Sequence, residues 1–235
     1  MKNTTQQVND ISDAVVFYVN AAGTGASYSF TQDQSDLSAM GLENTFSSVS
    51  LPPQTKVVMY SGANYTGKTL TIGNGSSIPL TVDFSQTIGA FPGNIHTAFS
   101  WDGINMNDQC YSFKLVDNIN ETCQCSFFEF TLKYDAYGDE PVILYENFNG
   151  GAYLTYFYAD DQNFGPEHND RTSSLLVFGN EYAYLYQDNY YAGGVSAFEG
   201  TGVIDHARIY NLDGDVSWLN DSASSIKVGV MTPTY

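Results

Sequence analysis

Two six-residue runs gather oxygen-bearing side chains in a repeated form. Asn169-Asp170-Arg171-Thr172-Ser173-Ser174 and Asn220-Asp221-Ser222-Ala223-Ser224-Ser225 both read Asn-Asp-x-x-Ser-Ser, and both lead into an apolar stretch. Residues 43–48 (Glu-Asn-Thr-Phe-Ser-Ser) are a near match, and residues 93–98 (Gly-Asn-Ile-His-Thr-Ala) a degenerate one. As local structure, Asn-Asp is an ordinary turn former, and a following Ser-Ser caps or bonds the turn. As chemistry, amide, carboxylate and hydroxyl oxygens are the donors that a hard divalent cation takes six to eight at a time. Catalytic patterns are thin. There is no Gly-x-Ser-x-Gly, no phosphate-cradling glycine loop and no His-Glu-x-x-His. His96, His168 and His206 are scattered, and Cys123 and Cys125 have no second His/Cys pair at zinc spacing. The chain does not read as an enzyme.

Charge narrows the choice of partners. With 26 Asp+Glu against 8 Lys+Arg, the formal net charge is -18. So few cations build no basic patch, which argues against nucleic acid and against anionic membrane surfaces. The same acidity keeps a protein soluble, and it also attracts divalent cations. Residues 1–13 are polar and lack the apolar core of a signal peptide, and no stretch is apolar enough to span a bilayer. Neither observation fixes a location, extracellular or cytoplasmic. Three cysteines make no disulfide framework; a bridge from Cys110 to Cys123 or Cys125 would suit a hairpin, and free thiols are equally open.

The elements that must position these runs are strands. The chain has 18 Tyr, 15 Phe and 21 Gly among many Asn, Asp, Ser and Thr. Aromatic residues punctuated by turn formers predict short strands and tight turns, hence an all-β fold. Tyr60, Tyr65 and Gly67 fall as Tyr-x4-Tyr-x-Gly, and Tyr186, Tyr191 and Gly193 repeat the spacing. Tyr18 and Gly25 keep it with Gly23 between them, while Tyr145 is followed by Gly151, one residue short. Such a pattern describes a folded hairpin whose glycine adopts positive φ and leaves room for a ring. From each hairpin tyrosine to the first Ser or Thr of its doublet the distances are 29, 37, 28 and 38 residues. Both Ser47 to Tyr60 and Ser173 to Tyr186 span 13. That alternation predicts a duplicated pair of motifs. From Thr97 to Tyr145 there are 48 residues, so the boundary is placed there. The expected organisation is a polar tail (1–13), a first domain (14–102), an inserted hairpin (103–140) and a second domain (141–235).

Corner and signature together resemble the βγ-crystallin superfamily, and in particular its calcium-binding, mostly microbial and invertebrate branch. The resemblance covers about 14–102 and 141–230. It implies two domains, each a β-sandwich of two Greek-key motifs, with two calcium sites wired across each motif pair. On this basis Asn169, Asp170 and Ser173 cooperate with Asn220, Asp221 and Ser224, and the backbone carbonyls of Arg171 and Ser222 complete the shells. In the first domain Glu43, Asn44, Thr45 and Ser47 correspond, with Asn94 and Thr97 as a weakened partner. The resemblance implies Ca2+ as the ligand and a structural or stress-associated protein stabilised by it. The alternative is a calcium-dependent adhesion, glycan-binding or membrane-acting module using the aromatics of the insert (Phe127, Phe128, Phe130 and Tyr134).

Overall fold

The computed structural model describes residues 10–84, 106–121, 123–131 and 140–230. The chain is all-β, as the composition predicts. Its strands are β1 (Asp10–Asn20), β2 (Thr24–Gln32), β3 (Ser48–Leu51), β4 (Thr55–Gly62), β5 (Thr66–Asn74), β6 (Leu80–Asp83), β7 (Ser112–Val116), β8 (Ser126–Thr131), β9 (Val142–Asn147), β10 (Gly151–Phe157), β11 (Ser174–Phe178), β12 (Glu181–Asp188), β13 (Ala192–Glu199), β14 (His206–Asn211) and β15 (Ser225–Val230).

Four hairpins, β1–β2, β4–β5, β9–β10 and β12–β13, turn through the tyrosine corners. Each corner puts three residues in the left-handed region at the same offsets. They are Ala22, Gly23 and Gly25; Asn64, Tyr65 and Gly67; Asn149, Gly150 and Ala152; and Tyr190, Tyr191 and Gly193. Where both aromatics are present their rings meet, at 5.6 Å for Tyr60 and Tyr65 and 5.5 Å for Tyr186 and Tyr191. A lysine from the adjacent strand covers the second ring in each case, Lys114 over Tyr65 and Lys227 over Tyr191. The third corner was expected to be one residue short at Gly151. It is in register instead, because Gly151 is extended (φ -77) and Ala152 takes the glycine's place at φ +52.

The motifs interlock. One sheet in each half has the order β2-β1-β3-β6 or β10-β9-β11-β14, three strands of one motif and one of the next. The complementary sets are β5-β4-β7 and β13-β12-β15, each receiving one bridge from the other motif, Gln34 to Phe113 and Asp161 to Ile226. This exchange is the Greek-key crossing, and it repeats from one half to the other.

The connector differs from expectation. Among the described residues β7 and β8 do not pair as a hairpin. β7 pairs with β4 and so completes the first half, while β8 lies between β5 and β14. The second sheet of the first half and the first sheet of the second half thereby become one eight-stranded sheet, β10-β9-β11-β14-β8-β5-β4-β7. The phenylalanines of the connector are buried, not displayed. Phe128 packs in the core of the first half with Phe17, Met59 and Phe113, and Phe127 in that of the second with Leu175, Phe198 and Tyr210. Tyr134 lies outside the described residues. Beside Phe127, Arg208 is held by Glu121 (2.8 Å), Glu129 (2.9 Å) and the Tyr210 hydroxyl (3.2 Å). Burial works against the arginine's charge, yet these neighbours hold its pKa above the ordinary value.

An alanine at positive φ carries a steric cost that glycine does not, about 1–2 kcal/mol before the greater freedom of an unfolded glycine is set against it. Ala152→Gly is therefore expected to stabilise the protein by about 1 kcal/mol. A thermal melt followed by circular dichroism should rise by about 2–4 °C. A fall would mean that the corner is not strained.

Candidate metal centre

Four loops precede the strands that close each motif. They are 43–48 before β3, 107–112 before β7, 169–174 before β11 and 220–225 before β15, and they share one pattern of main-chain hydrogen bonds. The second residue of each is left-handed and exposed: Asn44, Asp108, Asp170 and Asp221. The fifth residue's N–H (Ser47, Tyr111, Ser173, Ser224) donates to the carbonyl of the motif's own corner tyrosine (Tyr18, Tyr60, Tyr145, Tyr186). The sixth is a buried serine that ties loop to hairpin. Ser48, Ser112, Ser174 and Ser225 donate to the carbonyls of Asn20, Gly62, Asn147 and Asp188. The same hydroxyls accept from the N–H groups of Gly23, Tyr65, Gly150 and Tyr191.

The second loop of the first domain is thus 107–112 (Asn-Asp-Gln-Cys-Tyr-Ser), where the sequence pattern pointed to 93–98. Asn94 and Thr97 lie outside the described residues. In the first domain 51 residues separate Tyr60 from Tyr111, where 38 separate Tyr186 from Ser224. The extra length falls inside the motif, before β7. Asn107-Asp108 and Ser112 do keep the first, second and sixth places of the pattern, a signal that was present in the sequence.

Within each domain the two loops cross. The second residue's N–H donates to the fourth residue's carbonyl in the opposite loop: Asp170 to Ala223 (3.1 Å) and Asp221 to Thr172 (3.0 Å), Asn44 to Cys110 (3.1 Å) and Asp108 to Phe46 (3.0 Å). Side chains cross likewise. Ser224 Oγ donates to Asp170 Oδ1 at 3.4 Å, Ser173 Oγ to Asp221 Oδ1 at 3.3 Å and Ser47 Oγ to Asp108 Oδ1 at 3.5 Å. The fourth combination is absent, because Asn44 supplies no carboxylate and Tyr111 no serine hydroxyl. Beside these contacts lie the buried Glu43 Oε2, Asn169 Oδ1 and Asn220 Oδ1, each without a hydrogen-bond partner. Buried acceptors of this kind are rare in proteins and are ordinarily met by a water or an ion.

The residues at the third place, Thr45, Arg171 and Ser222, sit in the loops where their carbonyls were expected. The Arg171 side chain turns away to Glu146 and to the Glu167 carbonyl. Among the described residues no three His, Cys, Asp or Glu side chains converge. A cation here would rely on amide, hydroxyl and main-chain oxygens as much as on carboxylates, a donor set that suits calcium and not zinc. Cys123 and Cys125 are bonded to each other, not to Cys110. Cys110 is free and buried, its thiol pushed up to about 12 by burial. His168 stands next to Asn169, and His206 contacts Asp205 at 2.7 Å.

No protein-family model matches the chain, and no curated protein sequence matches it. Several solved structures are similar to part of it. A βγ-crystallin domain from Flavobacterium johnsoniae is 25% identical, over 40% of this chain and 100% of that one, with a TM-score of 0.31. A βγ-crystallin domain from Clostridium beijerinckii is 23% identical over 44% and 97%, with a TM-score of 0.28. A βγ-crystallin from Ciona intestinalis is 18% identical over 43% and 96%, with a TM-score of 0.29. Among the described residues no helix is long and apolar enough to cross a membrane.

Ser112→Ala tests the loop register directly. It strands the Tyr65 N–H and the Gly62 carbonyl, and should cost about 1–3 kcal/mol in denaturant unfolding. A neutral result would place the closing loop of that motif elsewhere.

Proposed function

We propose that this chain is a calcium-binding structural protein of the βγ-crystallin type, in which cations at the crossed loops stabilise the sandwich. The observation that carries this reading is in the second domain. Asp170 and Asp221 each meet a serine from the opposite loop, next to the buried and unpartnered oxygens of Asn169 and Asn220. Calcium, when bound, supplies the positive charge that these oxygens lack. Neither loop holds a complete set of donors, so a site exists only once both motifs have folded together, which couples binding to folding. In the first domain Asp108 and Ser47 form the one crossed pair, with Glu43 offering a further oxygen, so one ion is assigned there and two to the second domain. Asn44 is left with a positioning role through its N–H.

For each site that exists only in the folded state, a ligand at 100 times its dissociation constant adds about 2.7 kcal/mol. In a chain of net charge -18, neutralised loops also relieve repulsion. The adhesive or membrane-acting alternative rested on the aromatic connector, and the burial of Phe127, Phe128 and Phe130 withdraws three of its four aromatics from the surface. No catalytic role is proposed.

Calorimetric calcium titration should give two sites fewer for Asp170→Ala/Asp221→Ala than for the wild type. Asp108→Ala should lose the first-domain site, whereas Asn44→Ala should retain it. Melts with excess calcium should exceed those with chelator by many degrees. A flat titration and superimposable melts would reduce the loops to turns.

A further inference from the structure

Strand β8 belongs to neither repeated motif pair, yet both halves are built on it. Its register places Phe128 opposite Ile72 of β5 on one side and Ile209 of β14 on the other. Side chains alternate along a strand, so Phe128 enters the core of the first half and Phe127 that of the second. Phe127 lies opposite Gly73, where a Cβ would stand 2.1 Å from the ring. The absence of a side chain at Gly73 is what lets β8 close on β5. Polar contacts extend the seam: Ser126 to Asp213, Ser77 to Asp215, and the Gly75 N–H to the Cys125 carbonyl.

We infer that β8 fuses the two domains into one cooperative unit, so that a cation bound in one domain also protects the other against unfolding. The fusion stands on the topology alone, and the coupling rests additionally on the calcium reading above. Opening either sandwich would leave β8 with one unpaired edge and one exposed phenylalanine, a cost that falls on both halves. Two of the loop-bearing strands, β7 and β11, lie in the same eight-stranded sheet, with β4, β5, β8 and β14 between them. A ligand that holds one sandwich closed therefore opposes opening of the other, and by linkage the effect is reciprocal.

Gly73→Ala drives a wedge into the β5–β8 seam without touching any loop oxygen, and Phe127→Leu added to it makes room again. In calorimetric melts with chelator, the wild type should unfold in one transition and Gly73→Ala in two, with one restored in the double variant. In melts with excess calcium, Asp170→Ala/Asp221→Ala should lower the single transition of the otherwise wild-type chain by several degrees, and in the Gly73→Ala background should lower one of the two transitions and leave the other in place. Two transitions in the wild type would overturn the fusion. Heat on adding calcium together with a wild-type-background transition that the second-domain substitutions leave in place would overturn the coupling. A single wild-type transition with no heat on adding calcium would overturn the calcium reading and leave the fusion standing.

Discussion

Everything in this fold hangs on a serine hydroxyl used four times. Ser48, Ser112, Ser174 and Ser225 are buried, and each is saturated by one donor and one acceptor from the corner of its own motif. A corner with three left-handed residues leaves main-chain groups that no ladder can satisfy, and a buried unpaired peptide group costs about as much as a lost hydrogen bond. The hydroxyl resolves that conflict and in doing so fixes where the preceding loop must run. Once the sixth residue is pinned to the hairpin, the fifth reaches the corner tyrosine's carbonyl and the second is thrown toward the opposite loop. The crossing of the loops thus accompanies the closing of the hairpins.

The corners explain the Greek key locally; they do not explain how the halves meet. That depends on β8 and on what surrounds it. In a chain with only 8 Lys+Arg, Arg208 is committed to a mostly buried cluster with Glu121 and with Glu129, its partner across the β8–β14 ladder. Burying an ion group is costly unless every member is matched. Here the guanidinium bonds two carboxylates and a phenol and lies over the Phe127 ring, 4.8 Å from its centroid. Such a directional cluster accepts one alignment of β8 on β14, which hydrophobic contact alone would not impose, since Phe127, Phe128 and Phe130 could slide by two residues without changing face.

These two layers differ in how far the sequence discloses them. Tyr-x4-Tyr-x-Gly is a local rule, and it located all four corners, though at Tyr145 it attached the glycine requirement to Gly151. The backbone overrode that choice because tertiary contacts fix the offset, and Ala152 bears the strain. The paired loops of the second domain were legible since both keep Asn-Asp and Ser-Ser. Residues 107–112 were not, because the run is broken by Tyr111 and because the added length before β7 brought Thr97 to nearly the expected distance from Tyr60. The place of β8 was illegible for a deeper reason. An apolar run flanked by turns reads the same whether its neighbours are adjacent in sequence or, as here, some 55 and 80 residues away.

The asymmetry between the domains follows from the crossed wiring. A carboxylate at the second place of one loop faces the hydroxyl at the fifth place of the other, so each pair works or fails as a unit. In the first domain both departures fall on the same pair, Asn44 and Tyr111, while Asp108 and Ser47 remain matched. Had the changes been split between pairs, a carboxylate would face no hydroxyl on one side and a hydroxyl no carboxylate on the other, and both contacts would be lost. Confined to one pair, they remove a charge and its partner together, and the fold keeps its main-chain crossing through Asn44 N–H and Cys110 C=O. The first domain therefore lacks the carboxylate–hydroxyl contact of one pair while the contact of the other pair, Asp108 with Ser47, is kept.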